Sequence, residues 1–168
     1  MSAPPPSGPP AALPLTPDEE AVMRALGRLL LVMPRVLDAD LQHEQRMSLS
    51  EYSVLRHLSE SEHGLMRMSE LAAACDMSLS GMTRLAAKLE AQGDLRRIRC
   101  EKDARGLNAV LTDSGLARLR QAWPSHLASV RRHIVDHLEG LDLARLAEAL
   151  GAMAGGCGPS CQSAPHDD

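Results

Sequence analysis

The chain has 168 residues, room for one domain of ordinary size, and 44% of them are apolar. No apolar run approaches the ~20 residues that cross a bilayer, and the opening MSAPPPSGPPAALPLTP has neither the basic nor the apolar region of a secretory leader, so a cytoplasmic protein with no membrane partner is expected. A net charge of −4 and a near absence of rings (one Trp, one Tyr, no Phe) disfavour binding of single strands by base stacking, and leave the core to Leu, Ala, Val and Met, which favours helices packed on helices.

Seven of the 11 prolines fall in the first 17 residues, so residues 1–16 read as an extended or disordered arm. Thr16-Pro17-Asp18-Glu19 then supplies an N-cap, a proline at the first helical position and a glutamate three residues after the cap. Apolar residues recur at helical spacing from Val22 to Leu41, with Pro34 expected to kink the run. Ser50 is read as the cap of a second helix carrying Val54, Leu55 and Leu58, which ends before Gly64.

Ser69 precedes a short helix through Cys75, and Ser78 is read as the cap of a helix from about Leu79 to Gln92, stopped at Gly93. Two helices joined by so short a turn make a helix-turn-helix. The runs 95–101 and 107–111, on either side of a Gly-containing loop, read as a β-hairpin. Thr112 caps a long helix to about His137 that Pro124 should kink, and Asp142 caps a last helix before a loose tail from Gly155. The fold expected is mainly α with a small β-hairpin wing: a winged helix-turn-helix with flanking helices.

Charge sharpens this reading. From Ser78 to Gly106 seven basic residues face four acidic ones, a net of +3 inside a chain that is otherwise −7. A basic segment in an acidic frame suggests a face that meets a polyanion. An α-helix fits the major groove of duplex DNA with its first residues at the base edges. Ser78, Ser80 and Thr83 offer hydroxyls, Gly81 permits close backbone approach, Met82 lies among them, and Arg84 can read guanine or hold a phosphate. Lys88, Arg97 and Arg99 extend the basic set, and the hairpin loop carries Lys102 and Arg105, which suit an adjacent minor groove. For each residue alone, a solvated basic face is the competing reading.

These motifs resemble those of the MarR family of dimeric winged-helix transcriptional regulators over roughly Asp18 to Met153. The resemblance is carried by Met68-Ser69-Glu70-Leu71-Ala72, by Ser80-Gly81-Met82-Thr83-Arg84-Leu85 with Leu89-Glu90 and Gly93, and by Asp103-Ala104-Arg105-Gly106 leading to Leu111-Thr112-Asp113-Ser114-Gly115. It implies that Arg105 is the wing-tip residue of the minor groove and that Asp103 pairs with a basic neighbour to shape the wing. It also implies a homodimer built on residues 17–48 and 113–154, around a DNA-binding domain at 49–112, with 155–168 a flexible tail. One departure is Asp94, where the family usually has an apolar residue.

The function implied is a repressor on a pseudo-palindromic operator, released by a small-molecule effector. Tyr52 and Trp123, the two rings, are candidates for lining an effector pocket, with plain core packing as the competing reading. A winged-helix interaction module without sequence-specific DNA binding is the alternative. An enzyme is disfavoured, for there is no Gly-rich phosphate loop, nucleophile elbow or acid/base pair signature. No metal or other cofactor is expected. His133 and His137 stand one helical turn apart and Cys157 and Cys161 lie near His166, but neither set matches a standard ligand pattern.

Overall fold

The computed structural model describes residues 13–100 and 103–155, and for Cys100 and residues 103–105 the backbone alone. Helix α1 runs from Pro17 to Gln45. Its start is the anticipated capping box: Thr16 Oγ1 accepts from the Glu19 N–H, and Glu19 Oε2 accepts from the Thr16 N–H at 2.7 Å. The helix passes through Pro34 without ending. Arg46, with φ at +50°, closes it in the left-handed region.

Helix α2 spans Leu49–Glu60, and its cap is Ser48 rather than Ser50. The reason is local. Ser48 has Glu51 three residues on, so a reciprocal box forms, with Ser48 Oγ accepting from the Glu51 N–H at 3.1 Å and Glu51 Oε2 from the Ser48 N–H at 2.8 Å. Ser50 has Ser53 at that distance and no carboxylate to answer it. The Leu49 N–H, another orphan of the first turn, donates to Asp38 Oδ1 of α1 at 2.8 Å.

A short strand that the sequence did not signal, β1 (Leu65–Arg67), follows a single 3₁₀ turn. Its partner lies far along the chain, for it pairs antiparallel with β3 (Asp103–Leu111), Met66 opposite Ala109. Strand β2 (Leu95–Cys100) pairs with the other edge of β3, giving a three-stranded sheet in the order β1-β3-β2. Helix α3 (Met68–Ala74) starts straight out of β1, so its cap position is Arg67 and Ser69 lies inside the helix. Asp76, at φ +50°, reverses the chain into helix α4 (Leu79–Ala91).

Helix α5 spans Asp113–His133, passes through Pro124 and gives way to a 3₁₀ turn at Val135–Leu138, earlier than the predicted end near His137. Helix α6 spans Leu143–Gly155, and Asp142 Oδ1 accepts from the Ala144 and Arg145 N–H groups at its start. None of the described helices is long and apolar enough to cross a membrane.

The core is nearly free of rings. Leu41 of α1, Val54, Leu55 and Leu58 of α2, Leu71 of α3, Met82 and Leu89 of α4, and Leu95 of β2 are all buried around the junction of the helix-turn-helix with the sheet. By contrast α6 buries nothing, and Val22, Met23, Leu29, Leu30 and Leu31 of α1 are exposed.

Two polar junctions position the wing and the long helices. At the wing base, Asp94 is buried and its carboxylate takes a hydrogen bond from the Arg118 guanidinium of α5, which also donates to Gln92 Oε1 at 2.9 Å. The Asp94 carbonyl accepts from the Thr112 N–H at 3.2 Å. Gly115 presses against that same carbonyl. A Cβ there would sit 2.0 Å from the Asp94 oxygen, far inside contact distance, with backbone rather than a flexible tip in the way.

Between α1 and α5, Asp40 Oδ2 accepts from the Ser129 hydroxyl, from Arg132 Nη2 at 2.7 Å and lies 3.0 Å from His133 Nε2. The Ser129 hydroxyl first, and then the Arg132 guanidinium, hold the Asp40 carboxyl down at about 2.

Gly115→Ala is expected to destabilise the protein by roughly 3 kcal/mol, the upper end of an overpacking cost, read as a lower urea midpoint at unchanged slope. For Asp40 the folded value lies below the ordinary 3.8, so its stabilisation is present in full above that pH and is lost as pH falls toward about 2. Acid titration of Asp40→Asn should therefore show a shallower loss of stability over that window than the wild type.

Candidate nucleic-acid interface

Helix α4 has two opposed faces because its apolar residues keep a strict 3.6 spacing. Met82, Ala86 and Leu89 are fully buried, while Leu79, Ser80, Thr83, Arg84 and Lys88 are exposed. Ser78 begins the helix, its Oγ accepting from the Gly81 N–H and lying 3.2 Å from Ser80 Oγ. The exposed first two turns therefore present three hydroxyls, an apolar Leu79 and an arginine together. Beside them runs a groove of about 310 Å³ lined by Arg67 and Ser69 at the β1–α3 step, Thr83 of α4, and Arg97 and Leu107 of the wing.

Not every predicted contact belongs to this surface. Met82 points into the core and is corrected to a packing residue: a side chain on the buried face of α4 cannot meet a groove on the other side. Gly81 has a local explanation too, since a Cβ there would lie 3.2 Å from Ser78 Oγ and 3.6 Å from Met77 Cε.

Arg97 is half-buried, and Glu90 holds it: Nε donates to Glu90 Oε2 at 2.8 Å, Nη2 to the same oxygen at 2.6 Å, and the Arg97 N–H to Oε1 at 2.9 Å. These bonds keep the Glu90 carboxyl below its ordinary value and clamp the wing to the end of α4. Lys88 Nζ lies 3.1 Å from a carboxylate oxygen of Glu51, itself buried. Arg96 and Arg99 of β2 are exposed. Lys102 lies outside the described residues, as do the side chains of Asp103 and Arg105.

The molecule's overall shape has clear counterparts among solved structures. AbsC, a MarR family transcriptional regulator from Streptomyces coelicolor, is 39% identical, with a TM-score of 0.77 over 86% of this chain and 97% of that one. Sco3205, a MarR family transcriptional regulator from the same organism, is 33% identical, with a TM-score of 0.82 over 92% and 97% of the two chains. The chain belongs to the MarR family of transcriptional regulators. The family's own sequence model matches residues 47–106, from the cap of α2 to the wing. Sco3205 was crystallised in complex with DNA. A mutant of MarR from Escherichia coli, captured with operator DNA, shares the fold at 19% identity and a TM-score of 0.67, over 79% and 93% of the two chains. No curated protein sequence matches the chain.

With the family shown, the winged-helix reading of the sequence stands, and the Asp94 departure acquires a physical account: the carboxylate is tolerated at the wing base because Arg118 pairs with it. The two rings lie on one cavity of about 390 Å³ between α2 and α5, where Tyr52 and Trp123 join Ser53, Arg56, His126 and Leu127. Tyr52 is buried and tilts against the His126 ring at 4.3 Å between centroids, while Trp123 is half exposed. Burial, and then the Arg56 charge, lowers the pKa of His126, and burial raises that of Tyr52. Both are neutral near pH 7.

His133 bonds with Asp40 rather than with His137, and the described residues contain no cluster of three metal-ligating side chains. Cys157, Cys161 and His166 lie outside the described residues.

Sequence reading missed the acidic partners that organise the basic face, Glu51 and Glu90, and, across the wing base, the basic partner Arg118 of Asp94. Glu51 left one trace, the Ser-x-x-Glu spacing at Ser48. Glu90 stands in the family motif but nothing local marked Arg97 as its partner, and Arg118 lies 24 residues from Asp94.

The two faces of α4 should separate cleanly by mutation. Met82→Ala is expected to cost about 2–5 kcal/mol of stability through a core cavity, whereas Ser80→Ala, on the exposed face, should stay within about 0.5 kcal/mol of wild type. Paired denaturation curves check both.

Proposed function

We propose that the chain is a homodimeric DNA-binding repressor that places the first two turns of α4 in the major groove and the wing in the adjacent minor groove. The observation that carries this reading is the exposed cluster Leu79, Ser80, Thr83 and Arg84 at the start of a helix whose other face is locked in the core. Hydroxyls and an arginine at a helix start match the donor and acceptor pattern of base edges and phosphates. The DNA complex of Sco3205, 33% identical, supports the same use of the fold. Arg105, by its place in the wing motif, is the proposed minor-groove residue, with Lys102, Arg96 and Arg99 along the flanking phosphates.

Dimerisation is proposed through α1 and α6. Val22, Met23, Leu30 and Leu31 on one and Leu143, Leu150 and Met153 on the other are large apolar side chains left exposed along these two helices, as at a protein–protein contact. A two-fold dimer would present two recognition helices about one turn of DNA apart, roughly 34 Å, and hence address a near-palindromic operator. The cavity between α2 and α5 is the proposed effector site, because it lies where α2 of the DNA-binding lobe meets the long helix α5, and both rings of the chain reach it. A ligand there would alter the spacing of the two lobes and release DNA.

Enrichment of a randomised duplex library by the full chain supplies a probe. Binding to the enriched duplex should weaken with salt at a slope of about −7, if each protomer neutralises about four phosphates. Arg84→Ala and Arg105→Ala should each lose about 1–3 kcal/mol on that duplex. A slope near zero, or no enrichment at low salt, would overturn the reading and leave a winged-helix interaction module.

A further inference from the structure

Lys88 is one of the exposed cations of the recognition helix, with its side chain 56% accessible, yet its ammonium lies 3.1 Å from Glu51 Oε1, on a residue only 1% accessible. Glu51 is fixed from behind. It is the third residue of α2, and its other oxygen is taken by the Ser48 N–H at 2.8 Å. Oε1 has no hydrogen-bond partner among the described residues, so the Lys88 charge is what balances it. Burial pushes the carboxyl up, but the Ser48 N–H and Lys88 outweigh it and leave Glu51 ionised. Drawing Lys88 away to a phosphate would leave that buried carboxylate without its counter-charge, which is unfavourable.

We propose that Lys88 is a positioning residue, held off the DNA by Glu51, and that this pair sets the orientation of α4 against the first turn of α2. The inference rests on the DNA-binding reading above. It gives that turn an unusual place in the molecule, because three contacts leave it in three directions. The Leu49 N–H bonds Asp38 of α1 at 2.8 Å, Tyr52 lines the cavity shared with α5, and Glu51 holds the recognition helix. A shift of α1, or a molecule in the cavity, therefore reaches α4 through one helical turn and one ion pair.

The test uses the full chain as wild type, Lys88→Met, Glu51→Gln and the double variant. Glutamine keeps the oxygen that the α2 cap needs, and methionine keeps the apolar stem. Each is titrated across salt on the library-enriched duplex and on a scrambled duplex of equal length, with melting curves alongside. Lys88→Met is expected to lose about tenfold or more on the enriched duplex, with the scrambled duplex and the salt slope unchanged, and the double variant to recover most of that loss. Glu51→Gln frees the ammonium, so it should gain affinity for the scrambled duplex and a slope steeper by about one per lysine released.

If Lys88→Met instead weakens both duplexes alike and flattens the slope by about one per lysine, without recovery in the double variant, Lys88 is a phosphate contact and the proposal is overturned. Should Lys88→Met not fold, Glu51→Gln decides alone: an unchanged slope and unchanged scrambled binding count against the pair. Wild type that ignores both duplexes at low salt sinks the DNA-binding reading, and this inference with it. Wild type that binds while the variants follow the phosphate pattern sinks the inference only.

Discussion

The wing depends on one buried carboxylate. Asp94 stands where α4 has ended and β2 begins, its N–H bonded to Leu89, its carbonyl to the Thr112 N–H that starts α5, and its side chain to Arg118 one turn into that helix. Both strands of the hairpin leave from this point, Leu95 opposite Leu111. An isolated two-stranded ribbon is marginal in water, and the wing holds its direction because its base is tied to α4 on one side and α5 on the other, with β1 along β3 and the Glu90–Arg97 bonds as further supports. Gly115 belongs to the same junction, since only a residue without a Cβ lets α5 come against the Asp94 carbonyl.

The basic face is smaller than its charge count. Seven cations lie between Ser78 and Gly106, yet Arg97 is spent on Glu90 and Lys88 on Glu51. Each of these pairs crosses between elements: one ties wing to helix, the other ties helix-turn-helix to α2. What is left for a polyanion is a narrower set at the front of α4 and along β2, and the acidic partners make that set rigid. An ion pair with a buried or half-buried partner is screened less by salt than a surface one, so this scaffold should keep its shape under conditions that strip a nucleic acid from it.

The long helices answer a different constraint. With almost no aromatic residues, the core is built from Leu, Met and Ala around the helix-turn-helix, and α1 and α5 meet through polar bonds at Asp40 as well as through packing. The apolar surface that remains on α1 and α6 has no partner within the described part of one chain. Association with a second copy is the proposed means of covering it.

Local sequence determined much of this. The Thr16 and Ser78 caps, the turn before α4, the two hairpin runs and the family motifs are all short-range signals, and each is legible because its physical cause lies within a few residues. The Ser50 expectation failed by two residues because the decisive partner was Glu51, three positions after Ser48. Tertiary structure alone decided the rest. Strand β1 exists because β3 offers it an edge some forty residues away in sequence, and Met82 is core rather than contact because the helix phase is set by what it packs on. Which cations stay free was decided by carboxylates brought up from other elements, and charge counted along a chain does not record which opposite charges the fold places beside it.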